Sequence, residues 1–111
     1  MLKKLLALAF AIISVINFGF ASPALAGDAA NGSKIFSANC TACHMGGNNV
    51  VNGAKTLKQD ALKQYDMYSL DAIKNQVTNG KNAMPAFGSK LSEAQIEDVA
   101  TYVLSQAESG W

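Results

Sequence analysis

The stretch Cys40-Thr41-Ala42-Cys43-His44 constrains this chain more than any other. It places two thiols three positions apart, with an imidazole directly after the second, and uses both cysteines and the only histidine in the sequence. A Cys-x-x-Cys-His run is the attachment pattern of a c-type haem. Each thiol adds across one vinyl group of the ring, and two short side chains at this spacing reach neighbouring ring edges. His44 then falls beneath the iron and offers a neutral imidazole nitrogen as an axial ligand. A chain that accepts such a group has to fold around a flat, mostly apolar plate.

Other chemistries for the same five residues fit less well. A thioredoxin-like dithiol belongs near a βαβ pattern, and no convincing strand is legible here. A closed zinc site takes four ligands, usually Cys or His, and the chain offers three. A disulfide between Cys40 and Cys43 closes too short a loop to stabilise much.

The first 26 residues read as a segment apart. Lys3 and Lys4 give a positive start, Leu5 to Phe20 is almost wholly apolar, and Ala24-Leu25-Ala26 is a small-x-small cleavage site. This is the pattern of a secretory signal peptide cut before Gly27. The apolar run of 16 residues is short of the roughly 20 that a spanning helix requires. Residues 27–111 then form one domain of 85 residues. Nine lysines less the two in the leader leave seven against eight acidic residues, a net charge of −1, with no arginine. No basic run is available to track a phosphate backbone, which argues against nucleic acid as a partner. So small a domain has a limited core of its own, which a covalently held ring would enlarge.

Four helices are predicted after the leader. Asp28 caps a first helix running to about Asn39, and Gly32 and Phe36 share one of its faces. A glycine inside a helix costs about 1 kcal/mol relative to Ala, a cost that a close helix crossing at Gly32 would justify. Gly46-Gly47-Asn48-Asn49 reads as a loop, and Val50 to Lys55 has no clear period. A short helix is expected from about Gln59 to Tyr65, with Leu62 and Tyr65 on one side. Ser69 caps a third helix whose Leu70, Ile73 and Val77 form an apolar stripe. It ends at Asn79-Gly80, with Gly80 available for a left-handed cap. The run from Lys81 to Gly88 is a loop. Ser92 and Gln95 form a capping box for the last helix, with Leu91 placed to staple onto Ile96. Ile96, Val99, Ala100, Val103 and Leu104 make its apolar face.

A haem iron held by His44 has a second face that is either open or ligated. No second His exists, and lysine is normally protonated and strongly hydrated. A methionine thioether is soft and favours ferrous iron. Met1 leaves with the leader, and Met45 adjoins His44 and cannot easily reach the opposite face. Met67 and Met84 remain. Met67 follows a helix, where core packing is the ordinary role of methionine. Met84 lies in a loop stiffened by Pro85, which restricts both residues. That context favours Met84 as the second ligand.

Several runs carry a resemblance to a known family. They are Gly32-Ser33-Lys34-Ile35-Phe36, Cys40 to Gly47, Lys55-Thr56-Leu57, Gln76 to Phe87, Asp98 to Val103, and Trp111. Through them the chain resembles the class I c-type cytochromes, and more closely the cytochrome c6 family of soluble photosynthetic carriers. The resemblance implies an all-α fold of four helices around one covalent haem c, with the first and last helices crossing where Gly32 and Phe36 meet the face carrying Tyr102. It implies thioethers at Cys40 and Cys43, and His44 and Met84 as axial iron ligands. Gln76 matches a glutamine close to the haem that tunes its potential, and Lys55 a lysine near the propionates. Lys90 matches a basic docking position, although either lysine also reads as an ordinary solvated charge. The implied activity is electron transfer without substrate turnover, from cytochrome f of the b6f complex to photosystem I in the thylakoid lumen. One haem edge is expected beside the Met84 loop, ringed by Ala86 and Phe87. Two other functions remain open: a carrier of this fold serving a terminal oxidase, and an open-site, peroxidase-type haem enzyme.

Overall fold

The computed structural model describes residues 27–111. The predicted signal peptide therefore lies outside the described residues. Those that are described form helices and loops, with one isolated antiparallel bridge between Lys81 and Met84.

The scaffold is the crossing of helix α1 (Ala29–Asn39) and helix α5 (Glu93–Ser109). Asp28 caps α1 as expected, its side chain accepting from the amides of Ala30 and Asn31 at 3.0 and 3.2 Å. The capping box of α5 is complete: Ser92 Oγ accepts from the Gln95 amide at 3.1 Å, and the Ser92 amide donates to Gln95 Oε1 at 2.8 Å. Gly32 sits where the helices touch. A Cβ there would collide with the Asp98 carbonyl and lie 2.8 Å from Tyr102 Cβ. The missing side chain lets the backbones meet, so the helix-propensity cost at Gly32 is offset by packing. Beside it Phe36 and Tyr102 stack at 5.3 Å between ring centroids. On α5, Val99 and Ala100 are 1% and 0% exposed, the most buried of the core residues among those described.

A second clasp ties the start of α1 to α5 beside the crossing. Asp98 on α5 accepts from the Asp28 amide and from Asn31 Nδ2, both at 2.8 Å. The backbone bond from Asp28, and then the Asn31 amide, hold the Asp98 carboxyl below its ordinary value.

Between these helices the chain makes three shorter ones. Helix α2 (Thr41–His44) is a single turn that follows α1 directly and runs into a 3₁₀ turn at Met45–Gly47. No residue pattern marked it as a separate helix, and the part expected as loop begins in regular structure. Helix α3 (Gln59–Gln64) and helix α4 (Leu70–Asn79) stand where they were expected. Helix α4 lies against α5 through buried Ile73 and Val77, with a Lys74–Glu97 pair at 3.8 Å on the same side.

Tyr65, at the end of α3, lines the same cavity as Leu62, as expected, although it is 38% exposed and has Lys55 Nζ 5.2 Å from its ring. Two expectations need correction. Gly80 does not make a left-handed cap: its φ of 68° is positive but its ψ of 177° is extended. That conformation turns the chain sharply toward Met84, and a Cβ at Gly80 would lie 2.6 Å from the Met84 carbonyl. Phe87 does not ring an exposed edge. Its amide bonds the Val77 carbonyl at 2.8 Å and its ring is buried in the core.

Candidate haem site

A cavity of about 800 Å³ opens between α1, the two long loops and the inner faces of α4 and α5. Small-molecule and cofactor sites run from about 300 to 1,000 Å³. Phe36, Leu57, Leu62, Ile73, Val77, Phe87, Val99 and Val103 form its apolar wall. Cys40, Cys43, His44 and Met84 all line the same space. The sequence-predicted ligand set is therefore brought together from the start of α2 and from a loop forty residues later.

His44 ends α2, and its ring is held from behind. Nδ1 lies 2.9 Å from the Asn48 carbonyl oxygen. A carbonyl only accepts, so Nδ1 carries the proton and Nε2 keeps its lone pair as the free donor. Such a bond fixes both tautomer and ring orientation and raises the basicity of the ligating nitrogen. Asn48 was not legible as a site residue, because the contact is made by backbone. The one available sign was Gly46-Gly47, whose φ values of 65° and 80° turn the chain back beneath the imidazole.

Met84 is half-buried, and Gln76 Nε2 on α4 donates to its Sδ at 3.5 Å. The Lys81–Met84 backbone pair, 3.0 Å in each direction, closes the loop that carries it. Met67 also lines the cavity and packs on the core, but no side-chain donor fixes its sulfur among the bonds described. Met45 is 68% exposed and lies outside the lining. Lys55 and Lys81 are exposed at the mouth, along with Ala42, Val51, Ala83 and Pro85. Lys90 lies outside the lining, with its ammonium 5.6 Å from the Phe87 ring centroid.

The thiols are free rather than joined. Burial, and secondly the neighbouring Cys43, push the Cys40 thiol up to about 11. A dithiol redox centre requires the opposite, a thiolate stabilised near neutral pH. Among the described residues no group of three or more His, Cys, Asp or Glu could hold a metal ion. A metal here has to bring further ligands with it, as the four nitrogens of a porphyrin do. An apolar cavity of this size, two thiols on its rim, and an imidazole and a thioether on its walls fit a covalently attached haem.

Comparison with known proteins agrees. Residues 27–103 match the family model described as cytochrome c oxidase, cbb3-type, subunit III. The cytochrome c6 of Gloeothece citriformis is 61% identical over 110 residues, covering 99% of this chain and 100% of that protein. That of Porphyra purpurea is 56% identical over 99% of this chain and 100% of its own length. The chain belongs to the cytochrome c6 family. A cytochrome c6 structure from the diatom Phaeodactylum tricornutum superposes with a TM-score of 0.75 at 54% identity, covering 77% of this chain and all of that one. Membership makes this an all-α c-type cytochrome with covalently bound haem, an electron-transfer protein by family. Among the described residues no helix is long and apolar enough to cross a membrane.

Proposed function

We propose that this cytochrome is a monohaem carrier that takes one electron from cytochrome f of the b6f complex and delivers it to photosystem I in the thylakoid lumen. The observation that carries the reading is the convergence of both thiols, the His44 imidazole and the Met84 sulfur on one apolar cavity. Cys40 and Cys43 would hold the group by thioethers, and His44 and Met84 would supply the nitrogen and sulfur that ligate its iron. When bound, the haem supplies a reversible ferric–ferrous couple.

The protein's own residues keep that couple fast and selective. The Asn48 carbonyl fixes the imidazole plane, and the Gln76 amide fixes the sulfur. Held in this way, His44 and Met84 would shift little between the two oxidation states and would leave no room for a substrate. Gln76 also tunes the potential, since a donor on the sulfur alters how well it supports ferrous iron. Lys55 and Lys81 at the mouth favour approach of acidic partner surfaces and lose influence as salt rises. The exposed apolar residues Ala42, Val51, Ala83 and Pro85 give a brief, weak contact, suited to redox encounters at the small end of interface sizes. Lys90 joins this docking face from beyond the cavity rim. A leader over residues 1–26, cut before Gly27, fits export of the chain to the lumen.

The oxidase name of the matched family model gives a terminal oxidase a claim as a second acceptor. Flash-induced oxidation of the reduced protein by isolated photosystem I, set beside its oxidation by a purified terminal oxidase, separates the two. Rapid, salt-sensitive oxidation by photosystem I is expected. Turnover by the oxidase with none by photosystem I would transfer the assignment to respiration.

A further inference from the structure

Trp111 stands far from the haem cavity in sequence and is absent from its lining, yet a chain of short contacts leads from its indole to the imidazole of His44. Gly110 ends α5 in the left-handed conformation, with φ 92°, and the amides of Gly110 and Trp111 both return to the Gln106 carbonyl, at 2.8 and 2.9 Å. This turn swings the indole back over the helix crossing. Its ring meets Phe36 at 5.4 Å and Tyr102 at 6.0 Å between centroids. Its Nε1 donates to the Leu57 carbonyl at 2.8 Å. The Leu57 amide in turn donates to the Gly47 carbonyl at 2.7 Å.

Gly47 is itself pressed beneath the indole. A Cβ there would fall 2.5–2.6 Å from three carbons of the Trp111 ring, and the residue has φ +80°. The next residue is Asn48, whose carbonyl receives the His44 Nδ1 proton. The indole thus holds the segment from Gly47 to Leu57 at both ends, one by contact and one by hydrogen bond. Only one peptide separates the clamped Gly47 from the carbonyl that orients the ligand.

We propose that Trp111 is a positioning residue for the proximal imidazole, setting the strength of the Nδ1–H···O bond through Gly47 and Leu57. This rests on His44 being an iron ligand. A firm bond from Nδ1 raises imidazole basicity, and a more basic axial ligand favours ferric iron. Loss of the indole N–H releases the Leu57 carbonyl, loosens the Gly47–Asn48 peptide and weakens that bond. The midpoint potential then rises.

Two replacements separate positioning from packing. Trp111→Phe keeps an aromatic ring on Phe36 and Tyr102 and removes the donor. Exchanging the Trp111 indole for benzothiophene, by incorporation of the synthetic amino acid, removes only the N–H at nearly constant volume. For each, holoprotein is measured by proton NMR of the His44 Nδ1–H, by amide exchange at Leu57 and by redox titration. The expected results are a shifted and faster-exchanging Nδ1 proton, Leu57 exchange about fivefold faster for the loss of one net hydrogen bond, and a raised potential. Loss of thermal stability with an unchanged imidazole signal and an unchanged potential overturns the proposal and leaves Trp111 as packing alone. The unmodified protein is the control for the reading beneath it: absence of haem-shifted His44 ring signals there would mean that His44 is not a ligand.

Discussion

The α1–α5 crossing and the haem cavity are built from the same two helices and are closed in opposite ways. At the crossing the protein fills its own space: Gly32 admits the Asp98 backbone, and Val99 and Ala100 are sealed from solvent. One turn along the same helices, Phe36 and Val103 line an apolar cavity of about 800 Å³, whose wall Val99 also joins. Interiors of folded proteins are packed as densely as organic crystals. The contrast teaches that one half of this core is specified by residues and the other by the group they enclose.

The strongest way to break that contrast is to deny the cavity its occupant. Left without its occupant, this apolar wall faces water, and domains are stable by only about 5–15 kcal/mol. Cys40→Ser combined with Cys43→Ser, expressed so that haem is not attached, is expected to lose the cooperative thermal transition seen by circular dichroism. A sharp transition near that of holoprotein would show that the helices pack without the ring.

Gly32→Ala attacks the other half. The new methyl group meets the Asp98 carbonyl with no room to turn aside, and overpacking of this kind costs about 1–3 kcal/mol. Denaturant titration of the holoprotein should show that loss while the haem spectrum stays unchanged. A shifted spectrum would mean that crossing and cavity are not separable.

Ser92→Ala removes the side-chain half of the α5 capping box and should cost about 1 kcal/mol. The change is read as a lower denaturation midpoint at constant slope.

The smallest expected effect is the acid limb of stability. The Asp28 amide, then Asn31, lower the Asp98 carboxyl below its unfolded value near 3.8. The clasp therefore contributes fully above that pH and is lost as pH falls through the lower, folded value. Asp98→Asn should flatten the fall in stability below about pH 4. An acid limb identical to that of the parent would assign the loss to other carboxyls.

The elements that sequence made legible are those with local causes. Asp28, Ser69 and the Ser92–Gln95 pair mark helix starts because caps are made within three residues, and Ile96 to Val103 mark a buried face because helical period is local. Gly32 was legible because a mid-helix glycine needs a reason. The candidate ligands were legible in the haem motif and in the chemistry left to a chain with one histidine, and Cys40, Cys43, His44 and Met84 line one cavity. What stayed hidden depends on partners distant in sequence: the Asn48 carbonyl on His44, the indole of Trp111 on Gly47, and the burial of Phe87 through its bond to Val77.

The central claim is a haem iron gripped by His44 on one side and Met84 on the other. It is tested most directly by the ferric absorption spectrum of Met84→Ala holoprotein, taken with its midpoint potential. The account predicts loss of the weak red-edge band of methionine ligation, a high-spin spectrum that responds to cyanide, and a markedly lower potential. A variant that keeps the parent's spectrum and potential would contradict it and point to the sulfur of Met67 instead.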